Sequence, residues 1–174
     1  VEEVIPKTVS LTILHRVLGN LLSEGIHIRD RRTIVETLAE YAGACSDIER
    51  LTAYVREALG PAITQELFPG MGELSVIALD PEFERIVSQA VNTANPDAQA
   101  LEPNMARRLA QDAQAATQRL TAQGHNAVLL VNPLLRPFLG RFFRHINPHL
   151  RVLSHAEVPE TRHIRIMQVV GGRT

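Results

Sequence analysis

The sequence predicts a mixed α+β protein, with an all-helical subdomain over residues 1–69 followed by a small α/β subdomain over 70–174 that contains a βαβ unit. Three observations predict it. Apolar residues recur at three-and-four spacing as far as Phe68, as on helices with one buried stripe. Pro69-Gly70-Met71-Gly72 then breaks any continuing helix. Beyond it the apolar runs turn short and continuous, and the run over 127–131 leads into a helical pattern and a second short strand within about 25 residues.

The first helix begins after Ser10, whose side chain is placed to cap it. It carries Leu11, Leu14, Val17, Leu18, Leu21 and Leu22 on its apolar stripe and stops at Gly25. Ile26-His27-Ile28 is a short extended stretch. Asp30 caps a second helix, Arg31 to Tyr41, with Ile34, Val35, Leu38 and Tyr41 inward. A third follows Asp47, with Ile48, Leu51, Val55 and Leu59 in register. Gly60-Pro61 interrupts it before a further turn to Phe68.

In the second half, Leu74 to Leu79 reads as a strand. Asp80-Pro81 opens a helix that carries Phe83, Ile86, Val87 and Ala90. Asn92 to Ala100, with Asn95-Pro96-Asp97, reads as a loop, and Pro103 opens a long helix to about Gln123 with Met105, Leu109, Ala113, Ala116 and Leu120 inward. Ala127 to Val131 is a wholly apolar strand. Asn132-Pro133 caps the helix behind it, which carries Leu134, Leu135, Phe138, Leu139, Phe142 and Phe143. Strands over 151–153 and 164–170 and a Gly171-Gly172 tail complete the chain.

Composition narrows the function. The chain has 174 residues, 45% of them hydrophobic, with 4% aromatics and no Trp, so its cores are built from Leu, Ile, Val and Ala. A net charge of -1 argues against a broad nucleic-acid footprint, which needs a clustered basic excess. Cys45 is the only cysteine and reads as a small buried or half-buried residue. No apolar run reaches the length that spans a bilayer, and the chain opens on Val, as a piece of a longer protein does.

Reactive constellations are scarce. No glycine-rich phosphate loop and no G-x-S-x-G pattern is present. His145 and His149 have helical ligand spacing, but Asn147-Pro148 lies between them and should end the helix; His155 and His163 flank a turn at Pro159. These read as surface or cap histidines, and no metal or other cofactor is expected. Acid pairs at Glu2-Glu3, Glu36 and Glu40, and Glu82 and Glu84 read as solvated faces, Glu36 lying one turn from Arg32. Two alternatives stay open. One is a small α/β enzyme with a cleft between the two modules, using Asp80 at a strand end. The other is a helix-turn-helix nucleic-acid binder built on Arg29, Arg31 and Arg32, with a second basic group at Arg136, Arg141, Arg144 and Arg151.

Three stretches carry a resemblance. Asn20-Leu21-Leu22-Ser23-Glu24-Gly25-Ile26-His27-Ile28-Arg29-Asp30, with Thr33-Ile34-Val35-Glu36-Thr37-Leu38, resembles the N-L-L-x-E-x-[VI]-x-I-R-[DN] segment of the type III secretion export gate family, FlhA in flagella and its injectisome counterpart. Leu51-Thr52, Tyr54-Val55-Arg56 and Ala58-Leu59 fit the same family. Val128-Leu129-Leu130-Val131 with Leu135-Arg136, then Val152-Leu153-Ser154-His155-Ala156-Glu157, is similar to its closing segments. Tyr41-Ala42 and Ala58-Leu59-Gly60 look flagellar. Gly19 and His27 depart from the pattern, and Gly19 should cost its helix about 1 kcal/mol relative to Ala.

The resemblance implies a non-enzymatic role in protein export on the cytoplasmic side of the bacterial inner membrane, with a membrane region upstream and assembly into a nine-membered ring. This chain would supply the last two of four cytoplasmic subdomains, the helical, ring-forming one and the terminal α/β one. The implied partners are other copies of the chain, export chaperone–substrate complexes and other export apparatus proteins, with no nucleic acid. The main chaperone cleft lies in the preceding subdomains, so no chaperone-binding residue is assigned. Arg29, Asp30, Arg32 and Glu36 are the candidate subunit or partner interface. For Arg29 and Asp30 two roles are open: a local pair and helix cap, or an Arg29 that reaches a neighbouring subunit with Asp30 in support.

Overall fold

The computed structural model describes residues 9–92 and 101–172. The Glu2-Glu3 pair and the Asn95-Pro96-Asp97 turn read from the sequence lie outside the described residues. The chain divides into two compact units: one takes in the chain up to Pro69 together with Ala156–Pro159, and the other takes in Gly70–His155 and the chain from Glu160.

The first unit is helical. Helix α1 (Leu11–Ser23) starts where Ser10 Oγ accepts from the Ile13 amide at 3.2 Å. It closes where Gly25, at φ 74, lets the Ile26 amide turn back to the Leu21 carbonyl at 3.0 Å. Asp30 caps α2 (Arg31–Tyr41) and Asp47 caps α3 (Ile48–Ala58). What the sequence suggested as a turn after Gly60-Pro61 is an eight-residue helix, α4 (Gly60–Leu67). Pro61 sits in its first turn, where no intrahelical donor is required, so the proline starts a helix as well as ending one. Helices α1 and α2 both pack on α3, and Val17, Leu21, Ile34, Leu38, Leu51, Val55, Leu59 and Ile63 are buried. Tyr41 stacks on Tyr54 with ring centroids 4.1 Å apart.

The expected stripe on α1 needs correction. Val17 and Leu21 are buried, but Leu11 is 71% and Leu22 60% exposed. Positions 17 and 21 share one line on the helix, whereas 18 and 22 lie about 100° round from it, where cover is partial: Leu18 is half-buried and Leu22 exposed.

The second unit holds a four-stranded, wholly parallel sheet in the order β3-β2-β1-β4. Its strands are β1 (Leu74–Leu79), β2 (Val128–Val131), β3 (Arg151–Ser154) and β4 (Ile164–Val170), and its helices are α5 (Pro81–Val91), α6 (Pro103–Ala122) and α7 (Arg136–Ile146). Side chains of the three helices, among them Phe83, Val87, Leu109, Leu120, Leu139 and Phe143, share one core with Ile77, Leu79, Leu129, Val131, Val152 and Val170 of the sheet. All four residues of β2 are buried, as a strand flanked on both sides demands. In β4 a bulge inserts Met167 between the partners of Val76 and Ile77.

Two expectations in this unit change. Asn132-Pro133 does not cap α7: the Asn132 side chain accepts from the Leu134 amide at 2.9 Å, closing a separate turn, and α7 begins four residues later. Leu134, expected inward, is therefore half out of the core, at 49% exposure. Glu102 caps α6 through the Asn104 and Met105 amides. Among the described residues, no helix is long and apolar enough to cross a membrane.

Candidate functional site

The four candidate interface residues sit at the start of α2, and all four are exposed. The Asp30 carboxylate is occupied locally: Oδ1 accepts from the Thr33 amide at 3.0 Å and Oδ2 from the Thr33 hydroxyl at 2.6 Å. These two bonds, the hydroxyl's first, lower its pKa below the ordinary aspartate value, with a smaller contribution from the Arg32 charge. Arg32 Nε donates to Glu36 Oε1 at 2.7 Å, one helical turn on, and that bond raises the guanidinium's pKa. Arg29 projects just before the cap, and among the described residues no hydrogen bond or ion pair engages it. So the helix brings together Asp30, Arg32 and Glu36 in local bonds and leaves Arg29 presented beside them.

A second charged constellation lies inside the helical unit. Arg56, on the inward face of α3, is only 2% exposed, and Glu157 only 3%. The guanidinium is shared between two carboxylates. Nε donates to Glu157 Oε1 at 3.0 Å and to Oε2 at 3.2 Å, Nη2 donates to Oε1 at 2.8 Å, and Nη1 donates to Glu24 Oε2 at 2.7 Å. A planar donor fork of this kind matches carboxylate geometry, which a lysine at the same place would not. Gly60 makes room for it: a Cβ there would stand 2.2 Å from the Glu157 carbonyl oxygen. Nearby, Asn20 Nδ2 donates to Thr52 Oγ1 at 3.2 Å, tying α1 to α3 beside the cluster. Glu57 is an exposed residue, but its carboxyl is partly desolvated; that desolvation first, and the Glu157 charge second, raise its pKa.

Sequence reasoning assigned no role to Glu24, Arg56 or Glu157. The signal was present all the same, because each of the three stretches that carry the resemblance contributes one member of this cluster. Spacing along the chain could not reveal it, since Arg56 and Glu157 are 101 residues apart.

Other candidates do not gather. His145, His149, His155 and His163 are all exposed. Among the described residues no three of His, Cys, Asp and Glu come together to hold a metal ion. Asp80, the acid at the end of β1, directs Oδ2 to the Glu82 and Phe83 amides at 3.1 and 3.2 Å as the cap of α5. Glu82 pairs with Arg85 at 2.7 Å. The second basic group is split, with Arg136 buried, Arg151 half-buried, and Arg141 and Arg144 exposed. Cys45 is half-buried, its Sγ 3.9 Å from the Asp47 carbonyl.

A family model described as the FHIPEP family matches residues 1–163. The chain belongs to the FHIPEP family. It is 49% identical over 172 residues to the flagellar biosynthesis protein FlhA of Salmonella typhimurium, a match that covers 99% of this chain and 24% of that protein. The chain thus spans about a quarter of the length of the curated relatives it matches. Among solved structures, it resembles one from a Chlamydia pneumoniae CdsV and CdsO complex, with a TM-score of 0.83 and 28% identity over 97% of this chain and 48% of that one. It shares its fold with nonameric EPEC SctV-C, with a TM-score of 0.80 and 22% identity over 95% of this chain and 50% of that one. The resemblance to the FlhA-type export gate family drawn from the three stretches is borne out, and so is the mixed architecture.

Proposed function

We propose that this chain is a non-enzymatic module of a flagellar FlhA-type export gate, on the cytoplasmic side of the bacterial inner membrane. It assembles with other copies of itself and takes part in docking and handing over export substrates and their chaperones. Family membership supports the export role. The nine-membered ring is carried over from the nonameric state named for SctV-C, and binding of a second protein from the CdsV and CdsO complex. The chain's own charged groups favour binding over catalysis, because Asp30, Asp80 and Glu102 are committed to helix caps. On this reading, membrane attachment falls to parts of the full-length protein outside this chain, which spans about a quarter of the length of its relatives.

The observation that carries the assembly reading is the face at the start of α2. There Arg29 is exposed and unengaged among the described residues, beside an Asp30 held by Thr33 and an Arg32–Glu36 pair held along the helix. Such a prearranged charged edge orients a neighbouring surface and gives specificity more than raw affinity. Arg29→Glu in the full-length protein should therefore reduce recovery of the ring and secretion of flagellar subunits while leaving the melting temperature unchanged. Native mass measurement and a secretion assay read the two effects. Wild-type assembly and secretion in the Arg29→Glu protein would refute the interface.

A further inference from the structure

The path of the chain between β3 and β4 is not a simple loop. These strands are parallel and occupy opposite edges of the sheet, so their connection must cross three interstrand spacings, about 14 Å, and also run back along the sheet by about 20 Å to the start of β4. The nine residues between the strands are long enough to cover that path directly when extended. Instead of staying with its own unit, the connection leaves it, and Ala156–Pro159 packs with the helices before the chain returns at Glu160. Inside the helical unit the segment is gripped twice. The Glu157 side chain receives three donor contacts from Arg56 at 2.8–3.2 Å, and the Glu157 backbone lies so close to Gly60 that no Cβ fits between them. Withdrawing Glu157 would leave the Arg56 guanidinium buried with one of its two carboxylates gone, an unfavourable state.

On the far side of the segment, β4 begins five residues after Pro159. The Leu74 amide bonds the His163 carbonyl at 2.8 Å as the strand sets in, and β4 runs beside β1 to Val170, which joins the sheet core. The strand that completes the sheet is therefore reached only through a stretch fixed among the helices.

We infer that the Glu157–Arg56 pair is a latch that couples the helical unit to β4, so that the last strand stays seated only while Ala156–Pro159 is held. Release of the latch frees the strand and loosens α3 in one event. This couples two parts of the chain through covalent connectivity, and it needs no ligand.

Native-state hydrogen exchange on the 174-residue chain tests it. The slowest amides of α3 and of β4 should open with the same equilibrium constant, within about a factor of three, and with the same urea dependence. In Glu157→Gln both sets should exchange faster by a common factor of about ten or more. A purely local role for the pair predicts a different result: α3 amides accelerate and β4 amides stay at their wild-type rates. That outcome, or unequal opening of α3 and β4 in the wild type, overturns the latch. Should Glu157→Gln fail to fold, Glu24→Gln, which removes only the outer carboxylate from Arg56, makes the same comparison in a milder variant, with the same two outcomes.

Discussion

The two units take in a distant piece of chain by different physical means. The α/β unit accepts β4 chiefly through a backbone ladder with β1 and the apolar Val170, interactions that any β-branched strand of suitable pattern makes, with one exposed Arg119–Gln168 bond at 3.1 Å beside them. Among the described residues, the helical unit grips Ala156–Pro159 through the Arg56 guanidinium, the Glu157 carboxylate and the missing Cβ of Gly60, contacts that depend on the identity of each residue. The difference teaches where sequence tolerance lies. Ladder and apolar burial are degenerate, whereas a buried ion pair and a backbone-to-backbone approach are specific. The same contrast explains why all three stretches that resemble the export gate family meet at Arg56.

The comparison breaks most visibly at Arg56 itself. Arg56→Ala removes the guanidinium that holds the buried Glu157 and the half-buried Glu24 and should destabilise the chain by about 3–5 kcal/mol in urea unfolding. Trimming the apolar sheet core by one methyl group, as in Ile77→Val, should cost only about 0.5–1.5 kcal/mol in the same measurement. If the two losses were equal, the specificity of the helical unit's grip would be refuted.

Two glycines sharpen it further. Gly60→Ala pushes a Cβ into the Glu157 backbone and should cost about 1–3 kcal/mol. Gly19→Ala meets open space inside α1 and should stabilise by about 1 kcal/mol, because alanine restricts the unfolded chain and favours the helix. Thermal melts of the two variants should therefore move in opposite directions.

The smallest effect concerns Glu57. Its pKa is raised in the folded chain, so folding disfavours its ionised form; the penalty is full above the folded-state pKa and disappears as pH falls through it. Glu57→Gln should raise the melting temperature at neutral pH, and the advantage should fade as the carboxyl protonates in acid. Asp30 has the opposite sign, since its lowered pKa contributes stability above the ordinary aspartate value that is lost as pH falls through the lowered one. Melting curves of Glu57→Gln against wild type across the acid range check the sign.

Much of the fold was legible because it is local. Ser10, Asp30, Asp47 and Asp80 announce helix starts by a side-chain acceptor adjacent to the helix, and the short apolar runs at β1 and β2 are bounded by turn residues. Leu11, Leu22 and Leu134 were misread as buried because periodicity tells which residues share a helix line, not which line meets a neighbour. Asn132 was misread as a cap because an asparagine before a proline closes a turn and starts a helix with the same side-chain bond. Of the candidate interface, the Asp30 cap and the Arg32–Glu36 spacing could be read directly, since both partners lie within four residues.

By itself, then, the sequence determined the succession of helices and strands, the apolar composition of each core and the membership of the family, because capping, periodicity and motif are written within a few residues of one another. Only the tertiary structure decided that the β3–β4 connection returns to the helices and that Glu24, Arg56 and Glu157 form one cluster. A buried charge is stable only when its counter-charge reaches it in space, and no pattern along the chain records which distant carboxylate that will be.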